Sequence, residues 1–464
     1  MQSSWKSILE FPILLRLKDN VHSTESFISS IGPAGAELRF SQACEDLPEE
    51  GQEVHFGIGR QTLHGRTGRL SRQPGQEIRL YIQPISGKWE FSDEVERQLL
   101  LTTTYFDSIV CKGRIKALCE NSEHILYQFF FIHVREFLGN LQNLDNMFRD
   151  LDRSGGGNGS INTSEKLYQL CNDIVLKGER VLDQVESRQL KAEIKRGFRE
   201  LCRPWMKDNP FIARSLAKPR GYPGDYMMME MGYLSDSASA QGLSGGLDKF
   251  LFRKYRSVMC RKNKIKECLR ISLAKRADNP GHIKILTLGG GPSREWLELE
   301  SEMDDMSLNG RTELTYLDYD AEAVTFSEKR LKNNRLIGSL RLCCESVLNF
   351  ARSEDWDDKK YSYDLIYAIG IADYFPDSIL GEILARAVSL LENNGQLIIA
   401  HKDEKSFCFS ALDWFCDWTF YRRDQDHFTQ VLDTAISQIG GKISYRVERD
   451  ETGEFMFFIV TRAK

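Results

Sequence analysis

Residues 283–299 read Ile-Lys-Ile-Leu-Thr-Leu-Gly-Gly-Gly-Pro-Ser-Arg-Glu-Trp-Leu-Glu-Leu. An apolar run ends in three consecutive glycines, and a helical pattern begins directly after them. Glycine permits a tight turn and leaves room for a ligand against the main chain. A strand that feeds such a turn is the nucleotide-binding opening of a doubly wound α/β domain. The run Gly289, Gly290 and Gly291 lacks the full dinucleotide spacing, and the Pro-Ser after it favours a loop that holds adenosine over one that holds a pyrophosphate.

A second strand with an acidic end follows this turn. Residues 313–320 read Glu-Leu-Thr-Tyr-Leu-Asp-Tyr-Asp, which predicts a strand that ends at Asp318. An acid at this position can accept hydrogen bonds from both ribose hydroxyls of a bound nucleoside. Asp320 is a weaker candidate for the ribose, because it lies two residues past the strand tip.

In the rest of the predicted sheet, strands again alternate with connecting segments. A third strand, Leu340–Cys344, precedes Glu345 and Ser346, which we expect beside the adenine. The other predicted elements are a fourth strand at 363–369, a helix at 378–392, a fifth strand at 395–400 and a terminal hairpin at 442–449 and 455–461.

The glycine-rich loop, the acid after the second strand and the closing hairpin together resemble class I S-adenosylmethionine-dependent methyltransferases. The resemblance implies a Rossmann-like α/β methyltransferase domain over residues 245–464, with S-adenosyl-L-methionine as its cofactor. A nicotinamide-binding domain is the rival interpretation, since the spacing from glycines to acid is similar in both. The poor fit to the dinucleotide pattern and the closing hairpin favour the methyltransferase.

The composition of the whole chain is that of a multidomain globular protein. Its 464 residues are 41% hydrophobic and 28% charged with a net charge of −5, so no global basic field attracts nucleic acid or membrane. No apolar run reaches the roughly 20 residues that a spanning helix needs, and the N-terminus lacks a signal-peptide pattern. The 11 cysteines include no Cys-x-x-Cys, so we expect a cytoplasmic protein without a disulfide framework or a metal.

Residues 1–91 contain six short β-rich runs separated by turn signals, which predicts a small all-β barrel. The segments Ser30–Leu38 and Leu47–Phe56 resemble a PilZ-type barrel, a family that binds cyclic di-GMP through paired arginines and an acid-x-Ser-x-x-Gly motif. Only Gly35 of the second motif is present, and Arg16 has no arginine neighbour. We therefore predict a degenerate barrel that serves contacts or regulation and does not bind cyclic di-GMP.

Two features of the N-terminal half leave alternatives open. Residues 92–152 and 161–207 are helical in pattern, so we predict a helical connector over 92–244 that packs on the catalytic domain. An amphipathic helix pair in this connector that forms a homodimer is the alternative. The barrel also contains four arginines, Arg60, Arg66, Arg69 and Arg72. We expect them to form a solvated basic face or, as the alternative, the three of them that are spaced by three residues to form a phosphate site.

The segment 217–233 reads Ala-Lys-Pro-Arg-Gly-Tyr-Pro-Gly-Asp-Tyr-Met-Met-Met-Glu-Met-Gly-Tyr. Its prolines and glycines predict a rigid, irregular loop that is a structural corner or a lid over a site, and its Asp can also cap the next helix. Together with Leu288–Ser293 and Leu412–Arg423, it resembles one bacterial methyltransferase family, the extracellular-factor 3-hydroxypalmitic acid methyl ester biosynthesis proteins. The resemblance covers roughly residues 160–464.

This family resemblance implies O-methylation of a small lipid-like acceptor, such as the carboxylate of a 3-hydroxy fatty acid, to give a methyl ester signal for quorum sensing. The donor methyl and the acceptor oxygen must be held aligned and dry. An ionised carboxylate needs no base, but it needs a cation or hydroxyl to orient it, for which Arg220, Tyr222 and Tyr226 are candidates. His401 is the candidate base for a hydroxyl or amine acceptor, and a structural hydrogen bond is its alternative role.

The resemblance also implies the residues that surround the donor and the acceptor. The turn at 289–291 and Asp318 are expected to hold the adenosyl group, while Gly370, Asp373 and Tyr374 flank its methyl and amino-acid end, with Asp373 on the ammonium. Trp418, Tyr421 and Arg422 are expected in the acceptor pocket, whereas Trp414 and Phe415 are expected in the core. The alternative function is a regulatory module that binds a nucleotide or a partner protein without turnover.

Overall fold

The computed structural model describes residues 12–17, 23–32, 35–40, 47–58, 61–71, 78–92, 94–97, 123–154, 158–234, 241–275, 281–303, 306–356, 361–437 and 439–463. The chain divides into two compact units. One is Met1–Asn209 with Gln241–Leu247, and the other is Pro210–Ala240 with Asp248–Lys464. The segment 217–233 therefore belongs to the same unit as the predicted catalytic sheet.

The described part of the first unit contains six strands. They are β1 (Pro12–Leu17), β2 (Ser23–Gly32), β3 (Gly35–Phe40), β4 (Glu53–Ile58), β5 (Gln61–Ser71) and β6 (Ile78–Pro84). They pair antiparallel and close in the order β1-β2-β3-β6-β5-β4. Alternate side chains point inward, as a strand's period of two requires, so the paired residues Leu38 and Leu80 are both fully buried.

The predicted arginine face is described only in part. Arg60 and Arg72 lie outside the described residues, and Arg69 lies in β5. Arg66 is exposed, and its guanidinium lies 3.4 Å from the carboxylate of Glu53. A phosphate site on this face stays a prediction.

Helices follow the strands in the first unit. They are α1 (Glu123–Gln128), a π-helical turn (Phe129–Val134), α2 (Arg135–Ser154), α3 (Asn158–Leu182) and α4 (Arg188–Met206). Ser187 caps α4 by accepting a hydrogen bond from the Leu190 amide. The Trp205 indole donates to Gln142 across 3.0 Å, which ties α4 to α2. Among the described residues, no helix is both long enough and apolar enough to cross a bilayer.

The second unit is built on a seven-stranded sheet. Its strands are β7 (Ile283–Leu288), β8 (Thr312–Asp318), β9 (Ile337–Cys344), β10 (Tyr363–Ala368), β11 (Leu391–Lys402), β12 (Ile443–Arg449) and β13 (Phe455–Arg462). The order is β12-β13-β11-β10-β7-β8-β9, with β7 to β11 parallel and β13 antiparallel to both of its neighbours. The predicted Rossmann-like α/β sheet with a terminal hairpin is therefore confirmed.

Helices pack against this sheet. They are α5 (Pro210–Ala217), α6 (Tyr226–Tyr233), α7 (Gly242–Ala274, whose first residues belong to the first unit), α8 (Arg294–Glu302), α9 (Ala321–Leu331), α10 (Val347–Arg352), α11 (Asp377–Ser389), α12 (Phe409–Cys416) and α13 (Gln425–Ile436). The core packs Leu286, Ile366 and Leu397 of the central strands against Leu384 and Phe428 of the helices. The connections run in opposite directions from β7 and β10, so the crevice between these two strands is the switch point where ligands of such sheets bind.

Candidate functional site

The glycine turn lies at this switch point and is fixed on the end of β8. The amides of Gly289 and Gly290 both donate to the Leu317 carbonyl, over 2.9 and 3.1 Å. Gly289 and Gly291 have φ of 64° and 53°, where a side chain would be strained. A Cβ at Gly291 would meet nothing within 4 Å. The backbone at Gly291 therefore faces open space that a ligand can occupy.

Asp318 ends β8 beside this turn, as predicted. Its Oδ2 accepts from the Gly291 amide over 2.9 Å, and its Oδ1 accepts from the Asp320 amide over 3.0 Å. The residue is 7% exposed and forms no ion pair with any described residue. Burial raises the pKa of Asp318, although the backbone N–H groups oppose that shift. A carboxylate can accept about four hydrogen bonds, so Asp318 retains capacity for further donors.

Asp320, the weaker ribose candidate, is committed to other contacts. It caps α9 by accepting from the Glu322 amide over 2.9 Å. The Arg220 guanidinium donates a hydrogen bond to each of its carboxylate oxygens, with Nε–Oδ2 at 2.9 Å and Nη2–Oδ1 at 2.5 Å. Arg220 also donates to Glu322 over 2.7 Å. The predicted contact of Arg220 with an acceptor carboxylate stays a prediction, and in this structure its fork holds two carboxylates of the protein.

Residues 218–225, which we call the strap, cross the carboxyl edge of the sheet. Lys218 Nζ lies 2.6 Å from Asp417 Oδ2, beyond β11. The Tyr222 ring packs on the Tyr319 ring, beyond β8, with centroids 5.3 Å apart. Because β10 and β7 lie between β11 and β8, the strap passes over the ends of these two strands. The structure therefore favours the lid interpretation of this segment.

The far end of the strap is also pinned. A Cβ at Gly224 would lie 2.1 Å from the Trp418 ring and 2.8 Å from the Tyr374 hydroxyl, so only glycine fits there. Asp225 caps α6 and also receives Arg214, with Nε–Oδ1 at 3.0 Å. The helix-capping role that the sequence left open for this Asp is therefore observed together with the lid geometry. Both contacts hold the strap in one conformation.

The predicted adenine-side residues lie beyond β9. The Glu345 amide donates to the Asp318 carbonyl over 3.1 Å, and its carboxylate accepts from the Trp356 indole over 2.8 Å. Ser346 caps α10, with its hydroxyl accepting from the Asn349 amide over 3.1 Å. Glu345 and Asp318 therefore lie side by side, whereas the Ser346 hydroxyl is used by its own helix.

Asp373 lies beyond β10 and is already paired. Lys402 Nζ contacts its Oδ2, and His401 Nδ1 lies 2.8 Å from its Oδ1. Burial alone would raise the pKa of Asp373, but Lys402 and His401 hold it well below its ordinary value. Burial lowers the pKa of Lys402 to about 8, against the opposing effect of Asp373. The sequence prediction missed Lys402, although a lysine at the end of an apolar strand was a signal.

His401 has no exposed surface and packs on the Phe428 ring at 5.2 Å between centroids. Its contact with Asp373 favours the structural alternative over the role of a base, because a base must reach the proton that it removes. Tyr226 packs on Phe326, with centroids 5.0 Å apart. The catalytic roles of both residues stay predictions.

The predicted acceptor residues have unequal exposure. The buried Trp418 indole donates to the Tyr374 hydroxyl over 2.8 Å, next to the strap. Tyr421 is 49% exposed, and the exposed Arg422 lies over the Phe409 ring at 5.0 Å. Trp414 and Phe415 are fully buried, as expected for core residues.

The described cysteines are free thiols. Within the same described ranges, no group of three or more His, Cys, Asp or Glu residues could hold a metal ion.

Comparison with solved structures finds similar proteins at low sequence identity. Magnesium protoporphyrin IX methyltransferase from Synechocystis PCC 6803, with bound S-adenosylmethionine, is 10% identical with a TM-score of 0.35 over 55% of this chain and 98% of that one. A possible exported protein from Bordetella parapertussis is 16% identical, with a TM-score of 0.42 over 63% and 96%. An N-methyltransferase from Bradyrhizobium japonicum WM9, in complex with S-adenosyl-L-homocysteine, is 13% identical, with a TM-score of 0.28 over 44% and 87%. No family model and no curated protein matches the sequence.

Proposed function

We propose that this chain is an S-adenosyl-L-methionine-dependent methyltransferase. The observation that carries the proposal is Asp318, a buried carboxylate with only backbone donors among the described residues, at the end of β8. A ribose supplies two hydroxyl donors for its remaining lone pairs. The open backbone at Gly291 leaves room for the adenosyl group beside it.

The strap and the terminal hairpin support this chemistry over nicotinamide binding. Methyl transfer from a sulfonium is an in-line displacement that requires aligned reactants and exclusion of water. The strap, pinned through Lys218 and Gly224, covers the edge where the sulfonium would lie. The antiparallel β13 next to β11 matches the closing hairpin of class I methyltransferases, to which the sequence is similar.

For the acceptor we propose a lipid-like carboxylate, which would leave as a methyl ester. The burial of His401 supports an acceptor that needs no base, as an ionised carboxylate does not. Aromatic side chains beyond β11 support an apolar acceptor, with Phe420 packed 5.5 Å from Trp418 and 5.7 Å from Phe409. A 3-hydroxy fatty acid fits this description of the acceptor. We propose that its methyl ester is a quorum-sensing signal and that the chain belongs to the 3-hydroxypalmitic acid methyl ester family.

The first unit is proposed to serve contacts and regulation. Its six strands pair in a closed order, and the degenerate motifs of the PilZ-like sequence argue against cyclic di-GMP as a ligand. The amphipathic helices α2 to α4 support a homodimer as the assembly. A cytoplasmic location completes the proposal.

Calorimetry with three ligands tests the proposed function. We expect S-adenosylmethionine and S-adenosylhomocysteine to bind the full chain, and NAD to give no heat. Incubation with methyl-labelled donor and a fatty-acid mixture should then yield labelled methyl esters. Binding heat with NAD and none with either adenosyl compound would exclude the methyltransferase and support the nicotinamide-binding domain. Donor binding with labelled products other than esters would keep the enzyme and remove the proposed acceptor.

A further inference from the structure

Arg261 of α7 is a buried cation for which the described residues supply no carboxylate partner. The residue is 3% exposed. In the part of the chain that the structure describes, its Nη2 has weak partners, the Tyr233 hydroxyl at 3.4 Å and the Met229 sulfur at 3.6 Å. Its Cζ lies 5.1 Å from the centre of the Phe455 ring. Its Nε is buried without any partner among the described residues. Buried charges in proteins are normally paired or bound to a ligand, so this guanidinium requires an explanation.

The guanidinium lies at the switch point of the sheet. A Cβ at Gly370, just past β10, would lie 3.6 Å from Arg261 Nη1. The next residue, Ile371, contacts the glycine turn, because a Cβ at Gly289 would lie 2.3 Å from its Cγ2. Arg261 therefore reaches the crevice from the β10 side, while Asp318 reaches it from the β8 side.

The charges around Arg261 are unbalanced. Asp373 is close enough to act on Arg261 electrostatically, but its oxygens are used by Lys402 and His401. Arg261 and Lys402 together face one carboxylate, so the buried cluster carries a surplus positive charge unless an anion joins it. In a region of low dielectric such a surplus favours an anionic ligand strongly.

We propose that Arg261 binds the α-carboxylate on the amino-acid arm of the donor, an inference that rests on the proposed methyltransferase function. With the ribose on Asp318, the amino-acid arm would have to span β7 to reach β10, a distance of about 10 Å at the usual strand spacing. The planar fork of arginine matches a carboxylate through two parallel hydrogen bonds. Arg261 thus holds the carboxylate of the amino-acid end, whereas the sequence analysis assigned Asp373 to its ammonium group.

Two ligands that differ in the amino-acid arm test this proposal. S-adenosylhomocysteine carries the carboxylate, whereas 5′-methylthioadenosine has the same adenosyl thioether without it. Arg261→Met should raise the dissociation constant of S-adenosylhomocysteine about 10- to 100-fold, the scale of a lost charged hydrogen bond. It should change the dissociation constant of 5′-methylthioadenosine less than about twofold. Arg270→Met is the matched control, because Arg270 lies on the same helix, is half-exposed and pairs with Glu267.

The thermal midpoint of the free protein separates binding from structural support. Replacing an unpaired buried charge by an apolar side chain of similar length should leave that midpoint unchanged or raise it. A lower midpoint together with equal weakening of both ligands would assign Arg261 a structural role and overturn the proposal. Unchanged affinity for S-adenosylhomocysteine in Arg261→Met would overturn it as well. Failure of the wild type to bind either ligand would instead remove the proposed function, and this inference with it.

Discussion

Asp318 and Asp373 are two buried aspartates at the same edge of one sheet, but their surroundings differ. Asp318 ends β8 and, within the described ranges, accepts hydrogen bonds only from backbone N–H groups. Its burial raises its pKa. Asp373 follows β10 and contacts Lys402 and His401, which hold its pKa well below the ordinary range despite its burial. One carboxylate thus has unused acceptor capacity, and the other is already compensated.

The comparison shows that burial and position at a strand end are not enough to identify a residue that binds a ligand. Both residues satisfy the rule that ligands bind outside the carboxyl ends of parallel strands. The difference is the set of partners that the fold supplies. An uncompensated buried group lowers stability until a ligand arrives, whereas a compensated group stabilises the fold without one. Asp318 and Arg261 are of the first kind, and Asp373 is of the second.

The largest expected effect is on the stability of Asp373→Asn. This change leaves the Lys402 ammonium buried without its carboxylate, which costs about 3–5 kcal/mol of unfolding free energy. Denaturant midpoints measure the loss. Because the folded-state pKa of Asp373 is lowered, its stabilising effect is present above an ordinary carboxyl pKa of about 4. The gap between wild type and variant should therefore shrink as the pH falls below that value.

Two further variants make this result specific. Asp318→Asn is the matched control, since it neutralises a carboxylate of similar burial that has no cationic partner among the described residues. Its amide NH2 cannot accept one of the two backbone N–H groups that the carboxylate accepts, so the variant should lose some stability, but less than Asp373→Asn. The double variant Asp373→Asn with Lys402→Met removes both charges and should recover part of the loss. Equal destabilisation by Asp318→Asn and Asp373→Asn would erase the distinction between the two aspartates.

The next effect in size is on donor binding by Asp318→Asn. The amide keeps the shape of the side chain but loses the charge that attracts two ribose hydroxyls, so S-adenosylhomocysteine should bind about 1–3 kcal/mol more weakly. Calorimetry measures the change, and a thermal melt checks that the fold is kept. Asp320→Asn serves as a comparison, because Asp320 is held by Arg220 and should matter less to the donor. A larger loss of donor affinity in Asp320→Asn than in Asp318→Asn would assign the ribose contact to Asp320 instead.

The sequence predicted the local features of the site because short segments determine them. A strand that runs into Gly289–Gly291, an acid at the tip of β8 and a closing hairpin are each readable within a dozen or so residues. The prediction of the fifth strand at 395–400 was too short, since β11 runs over Leu391–Lys402 and includes residues 391–394 before it. Asn394 has φ of 62° and the pairing with β10 shifts register nearby, so a turn-like bulge lies inside the strand.

The partners of each polar group could not be predicted, since they come from distant elements. Asp373 follows β10 whereas Lys402 ends β11, and Arg261 comes from α7, which carries no motif. The same holds for Arg220, whose fork meets Asp320 a hundred residues later. Residue type and spacing identify chemistry-bearing side chains, but the folded contacts decide which of them remain available to a ligand.

The smallest expected effect is on the pH dependence of donor binding. The folded-state pKa of Asp318 is raised, so in the free protein this carboxyl protonates at a higher pH than an ordinary aspartate. Its protonated form offers fewer acceptors to the ribose, and binding must then release a proton. The dissociation constant of S-adenosylhomocysteine should therefore rise by at most about tenfold per pH unit below that pKa. Asp318→Asn should show a flat profile over the same range, because the amide does not titrate, whereas a slope that persists in the variant would assign the proton to another group.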